Sequence, residues 1–207
     1  VFIQVTRLVT QVILARLLVP ADFGIITLGF TLVLFLDLFK DLGTVASLIQ
    51  KPTITQRLVS TLFFVNVGFG VVAGGLFVLA SPYLASIAAP ADSRATGVFQ
   101  LLGLTLTVSS FVLVPQALIR RARRFRRLAF ITSGNALVVT VVSVGLAFAG
   151  ASVWALVIGQ LAGTIAGVLF SWPGSGARIR PEFSMTDLRS VWGFGASVTA
   201  FNVFNYF

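Results

Sequence analysis

Apolar residues dominate this chain in blocks of about twenty, and the polar residues gather between the blocks. The longest block without a charge runs from Leu128 to Ala177, fifty residues. Crossing a hydrocarbon core about 30 Å thick at 1.5 Å per residue takes roughly 20 residues. That block therefore holds two crossings, with Gly150-Ala151-Ser152 as the turn. The same pattern predicts six spans, at about 1–19, 23–49, 58–80, 97–119, 128–149 and 153–172. Pro20 closes the first, and Asp22 is placed to cap the second. Ser81-Pro82 ends the third, and Pro115 predicts a kink near the end of the fourth. Residues 173–190 form a loop, in which Ser184 and Asp187 have capping-box spacing. A seventh span starts at about 191 and runs to 207. The fold class expected is all-α, a polytopic transmembrane helical bundle.

Composition supports the pattern. The chain is 57% hydrophobic and 10% charged, against about 25% charged in soluble domains. It has no Cys and no His, which removes disulfides and the usual zinc ligands, and no metal site is expected. The net charge of +9 would suggest nucleic acid in a soluble protein. Here the cations stand at the ends of apolar spans, so membrane topology explains them and no nucleic acid is expected. The chain begins with Val1 inside an apolar run and stops inside another, so it is expected to be the N-terminal part of a longer protein.

Basic residues alternate by side. The connections after spans two, four and six carry Lys51, Arg57, Arg120, Arg121, Arg123, Arg124, Arg126, Arg127, Arg178, Arg180 and Arg189, eleven of the 15 cations. Those after spans one, three and five carry Arg16 and Arg94. The excess predicts that the even connections and the N-terminus are cytoplasmic. The arginine run 120–127 is then a topology determinant, with contact to anionic headgroups as a second role.

Several polar residues lie inside the spans. Gln4, Arg7 and Gln11 form one stripe within about 60° on the first helix. Arg7 stands about 20 Å from Pro20, too deep for easy snorkelling. Asp37, Lys40 and Asp41 share a face of the second span, with Asp37 about 22 Å past Asp22. Sequential antiparallel spans bring Arg7 and Asp37 to similar depth, so they are expected to meet. The cluster is either a structural ion pair or the lining of a transport path. Asn66, Asn135, Gln160, Asn202 and Asn205 are expected to make interhelical hydrogen bonds. Gly159, Gly163 and Gly167, and Gly70 with Gly74, are expected to let helices approach closely. No catalytic constellation appears, and no enzyme activity is expected.

Four segments then resemble a known family. Ala15-Arg16-Leu17-Leu18-Val19-Pro20-Ala21-Asp22-Phe23-Gly24, Asp41-Leu42-Gly43 with Ser47-Leu48-Ile49-Gln50, Pro115-Gln116-Ala117-Leu118-Ile119-Arg120-Arg121 with Arg124-Phe125-Arg126-Arg127, and Val153-Trp154-Ala155-Leu156-Val157 are similar, in order and spacing, to the polysaccharide transporter family. That family belongs to the multidrug/oligosaccharidyl-lipid/polysaccharide flippase superfamily. The resemblance implies a six-helix N-lobe over residues 1–172, an inter-lobe loop on the cytoplasmic side and the start of a second lobe, around a central cavity. It implies a flippase for undecaprenyl-pyrophosphate-linked oligosaccharide in the bacterial cytoplasmic membrane, working by alternating access. No cofactor is expected, apart from coupling to H+ or Na+. Partners would be the membrane, the lipid-linked oligosaccharide and other polysaccharide-export proteins. Arg7 and Lys40 are the candidates for pyrophosphate, and Gln4, Gln11, Asp37 and Asp41 complete the expected lumen. A cation-coupled multidrug antiporter, a lipid II flippase and a membrane-embedded glycan polymerase or ligase are the alternatives.

Overall fold

The computed structural model describes residues 2–40, 44–51, 53–90, 92–186 and 188–189, and seven α-helices occur among them. They are α1 (Phe2–Leu17), α2 (Pro20–Lys40), α3 (Thr44–Gln50), α4 (Gln56–Ala88), α5 (Ala95–Arg121), α6 (Phe125–Phe148) and α7 (Val153–Ser171). No strand occurs among the described residues. Five of the helices, α2 and α4 to α7, are long and apolar enough to cross a membrane. The first expected span, α1, has 16 residues and carries the polar stripe.

Three boundaries differ from the sequence expectation, each for a local reason. Pro20 opens α2 instead of closing α1, because its fixed φ suits a first helical position. Asp22 then lies in the first turn of α2 and not at its cap. The expected span 23–49 is divided: α2 stops at Lys40, and the seven-residue α3 follows. Helix α4 does not stop at Ser81-Pro82 but continues to Ala88, 33 residues in all. Proline cannot donate to the carbonyl four residues back. The Ser81 hydroxyl donates to that carbonyl, Val78 O, at 2.7 Å, and so satisfies the acceptor left over. Pro115 likewise lies within a continuous α5. Of the expected capping box, Ser184 is buried with its N–H donating to Thr61 Oγ1, and Asp187 lies outside the described residues. The expected seventh span and the Asn202 and Asn205 positions also lie outside them.

Helix α5 is the hub, packed against α2, α3, α4 and α7, while α6 packs on α7 and α1 on α6. The glycine stripes set the closest of these approaches. A Cβ on Gly74 would stand 2.6 Å from the Gly103 carbonyl oxygen of α5. One on Gly70 would stand 2.5 Å from Ser110 Cβ, also on α5. On α7, Gly159 faces Ser143, and Gly163 and Gly167 face Asn135 of α6. One apolar cluster joins α2, α4, α5 and α7 around Phe99, Leu102 and Leu106. A second gathers Leu48, Leu62, Phe63 and Val114 nearer the other end. Outward-facing Val141, Phe148, Leu79 and Leu169 are what a bundle solvated by hydrocarbon presents.

Alternate connections lie at opposite ends, as the charge alternation requires. At the basic end, Arg121 Nη1 donates to the Leu48, Ile49 and Lys51 carbonyls. There also Arg124 Nη1 donates to Gly174 O at 2.9 Å, and the chain after α7 docks on α4 through Arg180 N and Ser60 Oγ. At the opposite end, Asp22 is fully buried and pairs with Arg94 at 3.1 Å. Ser152 donates to Asp22 Oδ2 at 2.5 Å and accepts from Arg94 Nη1 at 3.0 Å. Asp92 holds the same guanidinium at 2.7 Å. Its hydrogen bonds from Arg94 keep its carboxyl below the usual range, and they raise Arg94 in turn. One clasp thus ties the α1–α2, α4–α5 and α6–α7 turns. Ser152 reaches it with φ +50°, a conformation costing about 1–3 kcal/mol for a residue with a Cβ.

Candidate functional site

Among the described residues, two of the polar cavities lie between the long helices. The larger, about 270 Å³, lies among α1, α2, α6 and α7. Its polar lining is Arg7, Thr10, Gln11, Asn135, Thr140, Ser143 and Gln160. The smaller, about 120 Å³, lies among α2, α5 and α7, with Asp37, Thr105, Ser109, Gln160 and Thr164. Phe30 and Gln160 line both and form the partition between them.

Helix periodicity explains the first lining. Thr10 and Leu14, with Leu18 just past the helix end, form the buried edge of α1. Leu14 and Leu18 pack with Ala147 and Ala155, and Thr10 Oγ1 meets Thr140 Oγ1 of α6 at 2.8 Å. Arg7 and Gln11 flank that edge and so face the cavity. Arg7 sits about 15 Å along α1 from Leu17, and both it and Gln11 keep an exposed side as well. Gln4 is exposed and outside both linings.

The expected meeting of Arg7 and Asp37 does not occur. The body of α1 lies along α6, not α2, so nearness in sequence did not become nearness in space. Asp37 pairs instead with Lys40 one turn on, at 2.5 Å. Lys40 is 4% exposed and donates also to Ser109 Oγ at 2.6 Å, tying α2 to α5. This ammonium is a buried bridge and not an open lumen cation. Arg7 has no carboxylate within ion-pair distance among the described residues. Asp41 lies outside them.

The amides divide as well. Asn66 makes the expected interhelical bond, donating to Thr44 Oγ1 at 3.0 Å. Asn135 and Gln160 make none from their side chains among the described residues, and both open onto the large cavity. The hydroxyls Thr10, Thr140, Ser143, Ser109 and Thr164 were not anticipated. Their only sequence signal is a position on the same helical face as an amide or a charge, which many structural Ser and Thr residues share.

The arginine run splits by side chain. Arg121 and Arg124 bind carbonyls, and Arg127 packs on Gly174. Arg120, Arg123 and Arg126 are exposed, and their side chains carry no hydrogen bond or ion pair among the described residues. Arg123 turns the chain between α5 and α6 at φ +53°. No cluster of metal-binding side chains occurs among the described residues.

Apolar helices of spanning length, closed around cavities lined by amides, hydroxyls and a guanidinium, define a multi-pass membrane protein. The chain belongs to the family described as polysaccharide biosynthesis protein, whose pattern matches residues 13–207. It is 27% identical over 215 residues to the lipopolysaccharide biosynthesis protein WzxC of Escherichia coli (strain K12), covering 96% of this chain and 40% of that one. It is 28% identical over 151 residues to the succinoglycan biosynthesis transport protein ExoT of Rhizobium meliloti (strain 1021), covering 72% of this chain and 30% of that one. A third relative, an uncharacterized membrane protein in the cps region of Klebsiella pneumoniae, is 39% identical over 61 residues, 30% of this chain and 13% of its own. The chain therefore spans less than half the length of these relatives. No solved structure matches it significantly.

Proposed function

We propose that this chain is the N-terminal lobe of a flippase that carries an undecaprenyl-pyrophosphate-linked oligosaccharide across the bacterial cytoplasmic membrane by alternating access. The observation that carries the proposal is the larger cavity. A guanidinium without a carboxylate partner among the described residues suits a pyrophosphate, which it can bind through paired charge-assisted hydrogen bonds. The surrounding amides and hydroxyls suit sugar hydroxyls, with donors and acceptors on both sides. The named roles of WzxC and ExoT in lipopolysaccharide and succinoglycan production agree with that cargo. The basic end would face the cytoplasm, and the N-terminus with it. Such a protein moves its cargo without breaking a bond in it, so no enzyme activity is proposed.

The test is deletion of the gene in its host. Undecaprenyl-linked oligosaccharide should accumulate in the cells while surface glycan is lost, and the wild-type gene should restore export. A variant carrying Arg7→Gln should be inserted normally and export at least tenfold less, by loss of about 1.5–3 kcal/mol of charged hydrogen bonding. Unchanged glycan in the deletion strain would refute the proposal.

A second reading rests on Asp37, a carboxylate facing the smaller cavity, which has room for several waters, beside a buried ammonium. It supports coupling to H+ or Na+, either within the flippase or in a multidrug antiporter. Drug efflux lost in Asp37→Asn with surface glycan unchanged would favour the antiporter.

A further inference from the structure

The chain carries 15 basic and 6 acidic residues, and the described carboxylates are all committed. Asp22 and Asp92 pair with Arg94, Asp37 with Lys40 and Glu182 with Arg180. Only Asp41 and Asp187 lie outside the described residues. The cations at the basic end therefore draw most of their neutralisation from outside the described residues.

Within that end, the segment 120–127 divides its arginines into two sets. Arg121, Arg124 and Arg127 turn into the structure, against the carbonyls of α3 and the Gly174 turn. Arg120, Arg123 and Arg126 turn out, within seven residues of one another. The same turn exposes Phe125 at 64%, and about a turn and a half further into the apolar run Phe130 is exposed at 66%. Exposed rings beside exposed cations at the mouth of a spanning helix place this turn at the level of the lipid headgroups. Rings in the acyl boundary and guanidinium groups one layer above match a lipid phosphate better than a dissolved anion.

We propose that Arg120, Arg123 and Arg126 form a binding surface for resident anionic phospholipid, with Phe125 and Phe130 seated in the acyl region beneath. The inward set holds the turn in shape, and the outward set recruits the lipid. This surface is independent of the cargo assigned above, since it requires only that the helices span a bilayer.

The full-length protein in phosphatidylcholine nanodiscs, titrated with phosphatidylglycerol, tests the proposal. Bound anionic lipid is counted by native mass spectrometry. Each arginine near a charged leaflet contributes about fivefold in affinity, so the three together contribute on the order of 100-fold. The triple variant Arg120→Gln, Arg123→Asn, Arg126→Gln should lose that preference. Asn is chosen at 123 because it tolerates positive φ. A control triple, Arg57→Gln, Arg178→Gln, Arg189→Gln, removes as much charge from the same end and should lose less than about threefold. Replacement of the outward three by Lys should retain most binding, because the attraction to a charged leaflet is chiefly Coulombic. If the Gln/Asn variant fails to fold, the wild-type protein decides: 1 M salt, with a Debye length near 3 Å, should abolish the preference. Equal loss in both triples would overturn the proposal, as would a wild-type preference insensitive to salt. Stoichiometric displacement of phosphatidylglycerol by undecaprenyl pyrophosphate would also overturn it, assigning the surface to the cargo instead.

Discussion

Replacing Arg94 by Leu should destabilise the protein, and replacing Asp22 by Asn in the same molecule should restore part of the loss. Asp22 is fully buried, and its partners are Arg94 and the Ser152 hydroxyl. Without Arg94 a carboxylate is left in an apolar end of the bundle with one neutral donor. Breaking a buried pair from one side costs about 3–5 kcal/mol. The Arg94 side chain is 36% exposed, so solvent screens the pair and the lower end, about 3 kcal/mol, applies. Asp22→Asn alone leaves Arg94 with Asp92 and keeps a hydrogen bond to Ser152, and it should cost about 1 kcal/mol. The double variant buries no charge and should cost about 1–2 kcal/mol, less than Arg94→Leu alone. Equilibrium unfolding in mixed micelles, followed by tryptophan emission, measures all four proteins. Trp154 is a suitable reporter, because its ring lies over Gly97 at the same end. Additive losses, or a double variant weaker than Arg94→Leu, would refute the assignment of the cost to a stranded buried charge.

Three further outcomes follow from the geometry. Gly74→Ala should cost about 1–3 kcal/mol, since its Cβ meets the Gly103 carbonyl, while Gly75→Ala, facing open space, should stay within about 0.5 kcal/mol in the same unfolding assay. In double-mutant cycles, Lys40→Met with Asp37→Asn should couple by more than about 0.5 kcal/mol, whereas Arg7→Gln with Asp37→Asn should be additive, because only the first pair touches. Asp92 titrates below its ordinary 3.8 in the folded protein, so its contribution is complete above that value and lost as pH falls through the depressed one. Wild type should therefore lose stability below about pH 4, and Asp92→Asn should lose less over the same range.

The spans were legible because charge is so scarce that its positions mark the ends of helices. Pairing between helices was not. The alternation of Lys and Arg foretold which connections share an end, yet gave no sign that Asp22, Arg94 and Ser152 converge from three turns. Arg7 and Asp37 were matched by depth, but depth fixes height in the bundle and not which neighbour stands beside a helix. That choice was made by the Thr10–Thr140 contact and the small residues Ala147 and Ala155, which look ordinary in a sequence. The α4 end was misread because Ser81-Pro82 stops most helices, and the serine's own hydroxyl removes the reason. Of the cavity, Arg7 and Gln11 were visible as polar atoms at membrane depth, whereas Asn135 and Gln160 were assigned to bonding they do not make.

The 33 residues of α4 make a rod about 50 Å long, and a hydrocarbon core is about 30 Å thick. Even at 40°, the upper range of helix tilt, the rod would reach about 38 Å across the bilayer. It is thus a gauge longer than the layer it measures, and the excess must stand in the headgroup zones at its ends. Tyr83 lies about 40 Å along it from Gln56 and is 70% exposed, where an amphipathic side chain marks a water boundary. Thinning the bilayer would lift Tyr83 further out, and thickening would draw it in. Membrane thickness thereby acts as a mechanical load on the end of α4, beside the turn that carries Asp92 and Arg94.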